Sequence, residues 1–220
     1  MRADGTSMAE DAATQSAPVT IVDYGMGNIG SLVNMFRRIG VGTIVTDRPA
    51  DIAAARKILL PGVGAFDAAI QRIDDLGLRD VLRARALDAA VPFLGICLGM
   101  QLLVDRSEEG SAKGLGLIRG SARRFPRSLG LKIPHMGWNE VAVVRKTPVT
   151  DFLPSDPRFY FAHSYYVVAE DRADAALACT YGIEFDAGIR RANIHGAQFH
   201  PEKSHRFGMA FLSGFAALPC

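Results

Sequence analysis

The pentapeptide Gly95-Ile96-Cys97-Leu98-Gly99 constrains this chain more than any other feature. It follows a short apolar run at 92–96 and opens a helical run at 98–104. A glycine–x–nucleophile–x–glycine run in that setting is expected to form a sharp strand-to-helix turn. Its glycines remove side chains that would clash, and the central residue sits in a strained conformation. Cys97 is then presented at the carboxyl edge of the sheet, where open α/β sheets bind ligands. The helix start favours negative charge on the sulfur, and the thiolate is the reactive form. The N–H of Leu98 is placed to receive charge on a substrate oxygen. The competing reading is a buried structural cysteine between unrelated glycines. The strand–turn–helix setting argues against it.

The first half repeats the same alternation. Short apolar runs at 19–23, 42–46, 57–60 and 92–96 read as strands. Between them, 29–39 carries Leu32, Val33, Phe36 and Ile39 at helical spacing, and Gly40 suits the position after its end. Further helices are expected from about 65 and over 78–89. This is the pattern of a parallel sheet covered on both faces. The second half differs. Segments 114–124, 140–144, 158–168, 175–181 and 188–199 read as strands joined by turns, so that part is expected to be mixed or antiparallel. A helix at 204–217 closes the chain. The fold class is therefore α/β, with a central, mostly parallel sheet, helices on both faces, and mixed or antiparallel strands in the second half. No repeat or linker divides it, which gives one domain over 18–220. Residues 1–17 are small, polar and acidic, with no apolar core of a secretory signal, and read as a disordered extension.

Composition narrows the function. Apolar residues make up 49% and charged residues 22%, as in soluble globular proteins. The net charge of +2 gives no argument for nucleic acid or an anionic membrane. No apolar run approaches the ~20 residues that span a bilayer. The three cysteines, at 97, 179 and 220, are far apart and lack metal-binding spacing. Reduced thiols in the cytoplasm are expected, with no metal and no cofactor.

Among the five histidines, only His200 lies in a run that explains itself: Gln198-Phe199-His200-Pro201-Glu202. Pro201 biases His200 toward an extended conformation, and Glu202 beyond it can fold back onto the imidazole. A carboxylate on one ring nitrogen leaves the other free to take the cysteine proton. A turn histidine with a local hydrogen bond is the alternative for His200 alone; with the elbow, catalysis is favoured. His195 and His205 read as structural, and Arg123-Arg124 as a solvated face.

Gly95 to Gln101 and Gln198 to Glu202 together resemble the class I, triad-type glutamine amidotransferases. Asp23-Tyr24-Gly25-Met26-Gly27-Asn28-Ile29, Pro61-Gly62-Val63-Gly64-Ala65-Phe66, Pro134-His135-Met136-Gly137-Trp138-Asn139 and the run at 161–167 are similar to the glutaminase subunits of imidazole glycerol phosphate synthases. The resemblance spans about 19–218. It implies hydrolysis of glutamine to glutamate and ammonia. It also implies a heterodimer with a cyclase subunit that uses the ammonia to make imidazole glycerol phosphate in histidine biosynthesis. Cys97 would be the nucleophile, His200 the general base and acid, and Glu202 the orienter. The N–H groups of Leu98 and Val63 would form the oxyanion hole. Gly64, Gln101, Glu109, Ser164 and Tyr165 would bind glutamine. Met26, Gly27, Asn28, His135, Met136, Gly137, Trp138, Asn139 and Lys203 would face the partner. Trp138 suits a core or an interface, and the resemblance tilts it to the interface. Glycine on both sides of Val63 either lets that peptide switch orientation or simply serves the turn; both readings stand.

Two other classes of function are weighed against this one. A thiol enzyme of the α/β-hydrolase type places its carboxylate before the histidine in chain order, whereas Glu202 follows His200. A non-catalytic binding subunit would have no need of an intact Cys97, His200 and Glu202. Another class I glutaminase subunit remains the nearest alternative.

Overall fold

The computed structural model describes residues 17–220, so the expected extension lies outside the described residues apart from Ala17. The first half alternates as expected: β1 (Val19–Val22), α1 (Ile29–Arg38), β2 (Thr43–Thr46), α2 (Pro49–Ala53), β3 (Ile58–Leu60), α3 (Phe66–Asp75), α4 (Arg79–Leu87), β4 (Phe93–Ile96) and α5 (Leu98–Leu102). Apolar spacing makes α1: Leu32, Met35 and Phe36 fall on one face and are buried. Gly40 follows it at φ +74°, left-handed as a terminating glycine should be. The short α2 was not foreseen; Pro49 opens it.

The second half holds β5 (Arg106–Ser107), β6 (Gly120–Arg124), β7 (His135–Glu140), β8 (Ala142–Val143), β9 (Arg158–His163), β10 (Tyr165–Ala169), β11 (Ala175–Tyr181), β12 (Ile183–Arg191) and β13 (Ile194–Ala197), followed by α6 (His205–Ala216). Several expected boundaries move. Only the last part of 114–124 is a strand, since Leu115, Leu117 and Ile118 enter the core from irregular chain. The segment 140–144 is divided between β7 and β8. The segment 158–168 breaks at Ser164, and 188–199 breaks at Ala192, which turns the chain at φ +52°.

Among the described residues the main sheet runs β2-β1-β3-β4-β13-β12-β10-β6-β5, with β11 on β12 and β8 on β11. The neighbours β2, β1, β3, β4 and β13 are all parallel. Beyond β13, the pairs β13–β12, β12–β10 and β10–β6 are antiparallel. β7 and β9 form a separate two-stranded antiparallel sheet.

Alternation along the parallel strands feeds two cores. Val22, Leu60 and Phe93 pack on one face with Phe66, Ile70 and Ile73 of α3. Ile21, Leu59 and Leu94 pack on the other with Leu32 and Phe36 of α1 and Phe211 and Phe215 of α6. Strands buried on both faces read as continuous apolar runs, which is why this half was legible. The consequence for function is positional. Because β1, β3, β4 and β13 are adjacent and parallel, the loops after them all emerge at one edge of the sheet.

Candidate functional site

Cys97 stands where β4 becomes α5. Its backbone lies at φ +53°, ψ −109°, a strained region for a residue with a side chain. The cross-strand bond from Cys97 N–H to Ala197 O at 2.7 Å continues the β4–β13 ladder up to the nucleophile. Close packing demands the glycine two residues on: a Cβ at Gly99 would lie 1.9 Å from the carbonyl oxygen of Leu60. The elbow is therefore wedged against β3 and cannot relax outward.

β13 delivers the base to the same edge. His200 is extended at φ −101°, ψ 95°, and its N–H is fixed to Tyr160 O at 2.9 Å. Pro201 then starts a tight turn that swings Glu202 back. The Glu202 Oε1 accepts from His200 Nδ1 at 2.9 Å, and both side chains are buried. This sets the tautomer and leaves Nε2 free on the side of the cavity that both His200 and Cys97 line. Burial opposes the charged ring, but the hydrogen bonds and charges of Cys97 and Glu202 outweigh it and lift His200 to about 10. The structure thus brings Cys97, His200 and Glu202 together as a connected set. Burial first, and the charge of Cys97 second, push the Tyr24 phenol upward, and its OH donates to Pro61 O at 2.8 Å.

The sulfur lies in a cavity of about 310 Å³ lined by Val63, Gly64, Leu98, Gln101, Glu109, Met136, Ser164, Tyr165, His200 and Lys203. All five residues expected to bind glutamine therefore meet here. Glu109 reaches the cavity on a loop that is tied down. Its Oε2 accepts from Phe66 N–H at 2.8 Å, at the start of α3. Asp67 accepts from the N–H groups of Ser111 and Ala112 at 2.9 and 3.0 Å, and those backbone bonds hold its carboxyl below the usual range.

Neither expected oxyanion donor is free. Leu98 N–H donates to Gly62 O at 3.3 Å, and Val63 N–H donates to Met26 O at 3.3 Å. Both bonds involve the single peptide linking Gly62 to Val63. One rotation of that peptide would remove the carbonyl from Leu98 and turn the Val63 N–H the other way.

The expected partner-facing residues divide by strand period. On β7, His135 turns inward and is buried, whereas Met136 is 63% exposed and Trp138 47%. Trp138 stacks flat on His205 at 5.5 Å. Gly137 and Asn139 are half-buried, and Asn139 Nδ2 donates to Thr180 O at 2.9 Å. Asn28 and Lys203 are exposed, Met26 and Gly27 half-buried. His135 was expected among residues that touch a partner; its ring instead packs between Tyr181 and Phe161.

The sequence reading gave no role to His163 or Gln198, although both stand in quoted runs. His163 lines the cavity, and Gln198 Nε2 lies 3.8 Å from the Cys97 sulfur. The available signal was polarity in the wrong place: each sits at the end of an apolar strand, where a buried polar side chain needs partners.

A nucleophilic cysteine at an α/β elbow, with its imidazole–carboxylate pair over a cavity of small-molecule size, defines a class of thiol-dependent hydrolytic enzymes. The model of the glutamine amidotransferase class-I family matches residues 20–216, and the chain belongs to that family. Its similar relatives narrow the group to imidazole glycerol phosphate synthase subunit HisH. HisH 2 of Methanococcus maripaludis is 47% identical over 197 residues, covering 90% of this chain and 98% of that protein. HisH 2 of Pseudomonas aeruginosa is 46% identical over 200 residues, covering 91% and 99%. Among solved structures, a glutamine amidotransferase superposes with a TM-score of 0.70 at 15% identity, covering 91% of this chain and 99% of that one. The PurLQS structure from Thermotoga maritima gives 0.69 at 20%, covering 90% and 97%. At those identities the structures speak for the fold alone. Among the described residues no helix is long and apolar enough to cross a membrane.

Proposed function

We propose that this chain hydrolyses glutamine to glutamate and ammonia at Cys97 and hands the ammonia to a cyclase subunit. It would thereby serve as the glutaminase half of a cytoplasmic imidazole glycerol phosphate synthase in histidine biosynthesis. The observation that carries the chemistry is the pair His200 Nδ1–Glu202 Oε1 at 2.9 Å, lining one cavity with a strained Cys97. The identities of 46–47% to two HisH 2 proteins, over nearly their whole length, support the pathway.

In this reading the Cys97 thiolate attacks the side-chain amide carbon of glutamine, and the carbonyl π-electrons move to oxygen. The oxyanion collapses and the C–N bond breaks. His200 Nε2–H protonates the leaving nitrogen, so ammonia departs rather than an amide anion. Water then attacks the thioester, His200 takes its proton, and Cys97 leaves as thiolate. Glu202 stays ionised and holds the ring. Glu109 would receive the α-amino group of the substrate, and Ser164 and Tyr165, which line the same cavity, would bind its other polar groups.

Partner control follows from the turn at Met26. That carbonyl restrains Val63 N–H, and the turn lies beside the exposed Asn28. A subunit docking over Asn28, Met136, Trp138 and Lys203 would displace Met26 and free the Gly62–Val63 peptide to form the hole.

Acid-quench mass spectrometry tests the reaction. Glutamine mixed with the protein and a cyclase should leave a glutamyl adduct on the peptide that contains Cys97. An adduct elsewhere, or glutamate release with no covalent species even in a deacylation-impaired variant, would overturn the mechanism.

A further inference from the structure

We propose that Gln198 donates a hydrogen bond to the nucleophile, and that a network of buried groups centred on the Tyr165 carbonyl, which accepts from both His163 and Gln101, aims it at the Cys97 sulfur. The polarity of the network follows from one group that can only accept. The carbonyl of Tyr165 takes the Nδ1–H of His163 at 2.8 Å and the Nε2–H of Gln101 at 3.0 Å. His163, with its proton on Nδ1, presents a bare Nε2. His135 Nδ1, 3.1 Å away and directly opposite in the β7–β9 ladder, must therefore donate. This holds while both rings are neutral. Burial keeps them so, pushing His163 down to about 3 and His135 to about 4.

The same logic passes through the amides. Gln101 gives one Nε2 hydrogen to Tyr165 O and its other to Gln198 Oε1 at 3.2 Å. The oxygen of Gln198 is thereby committed to Gln101, so its NH₂ faces the sulfur at 3.8 Å. An inverted Gln198 amide would set NH₂ against NH₂ and oxygen against sulfur, losing both bonds. Gln198 and Gln101 are both buried, so water offers neither a substitute.

A donor at sulfur strengthens as charge develops there. It therefore favours the thiolate that attacks and the thiolate that leaves, and adds to the action of His200. Among the described residues, His200 and Tyr24 are titratable groups that interact electrostatically with Cys97, and Gln101, Glu109 and Lys203 line the same cavity. His135 stands at one end of the network, on the strand whose outer side carries Met136 and Trp138. The arm from His135 and the arm to Gln198 meet at the Tyr165 carbonyl and are each fixed by it.

The kinetic consequence rests on Cys97 being the nucleophile, but the test reads the sulfur itself. Alkylation of Cys97 by iodoacetamide, followed by peptide mass spectrometry across the neutral pH range, needs neither glutamine nor a partner. Gln198→Met keeps an unbranched side chain and removes the donor. Its alkylation profile should move to higher pH and its rate at neutral pH fall about 10-fold, the size of a charge-assisted bond. Gln101→Met leaves Gln198 in place but frees its amide to turn over, and should move the profile the same way by less. It also carries the test if Gln198→Met does not fold. With cyclase and glutamine, Gln198→Met should lower kcat with little change in KM, whereas Gln101→Met, at a residue that lines the glutamine cavity, should change both. Parental alkylation profiles in the folded variants would overturn the proposal. A shifted profile in a protein whose parent turns over no glutamine would leave Gln198 as donor and instead sink the glutaminase reading.

Discussion

The N–H of Leu98 donates to the carbonyl of Gly62 at 3.3 Å, so the first oxyanion donor is capped by the loop that carries the second. A chain in this state should be a slow glutaminase alone. Binding of a cyclase with its ligand should raise glutamate release ~10²–10³-fold, the usual worth of such a donor. Gly62→Ala should lower glutamate release both with and without partner, because it would displace the elbow itself. A Cβ there would lie 2.7 Å from the Tyr24 hydroxyl and 2.8 Å from Gly99 N and Leu98 Cβ. Steady-state glutamate release, with and without partner, measures both. Equal rates for the isolated chain and the complex would show that the hole is not gated.

Glu202→Gln removes the charge that steadies the imidazolium while keeping the side chain's shape. Glutamine turnover should fall ~10²–10⁴-fold with KM little changed. The same pair makes stability depend on pH. His200 holds its proton to about 10 when folded, against ~6.5 unfolded. Its contribution is complete below ~6.5 and is lost as the pH rises toward 10. Thermal melts should show Tm falling over that window in the parent and falling less in Glu202→Gln. Superposable Tm profiles would contradict the pairing.

Three buried histidines act in the opposite direction. Burial depresses His135 to about 4, His163 to about 3 and His195 to about 4. The unfolded chain binds these protons at ~6.5, so their contribution is present above that pH and is lost as acid is added. Tm should therefore also fall from pH ~6.5 downward. His195→Phe, in a side chain that packs near Phe215, should flatten that acid limb without touching glutamine turnover.

Asp67→Ala removes the two acceptors that hold Ser111 and Ala112 and so loosens the loop carrying Glu109. The expected result is a KM for glutamine raised ~10-fold or more, since small misplacements of positioning groups are costly. Activity driven by added ammonium salt should not change. Parallel assays with the two nitrogen sources distinguish this outcome from general destabilisation.

The parallel half was legible because its strands are buried on both faces and its turns are marked by glycine, at 25, 27, 40, 62, 64 and 77. The triad was legible because the elbow and the His-Pro-Glu turn are local. What stayed hidden was long-range. Residues 158–168 form an unbroken β-prone run, and Ser164 gives no turn signal, yet β9 pairs with β7 and β10 with β6 and β12. Ala192 turns the chain between β12 and β13 in a left-handed conformation where glycine or asparagine would be expected. His135 was grouped with its exposed neighbours because the strand character of β7 was not read, and period-2 alternation is what buries it. The donor network linking His135 and Gln198 joins four strand ends and one helix, so no local pattern could have revealed it.

The central claim is that Cys97 releases ammonia from glutamine for use elsewhere. The most direct measurement compares glutamine with ammonium salt as nitrogen source for a cyclase paired with the parent chain or with Cys97→Ala. Glutamine-driven product should disappear in the variant while ammonium-driven product continues at the parental rate. Retention of the glutamine-driven reaction in Cys97→Ala would contradict the account.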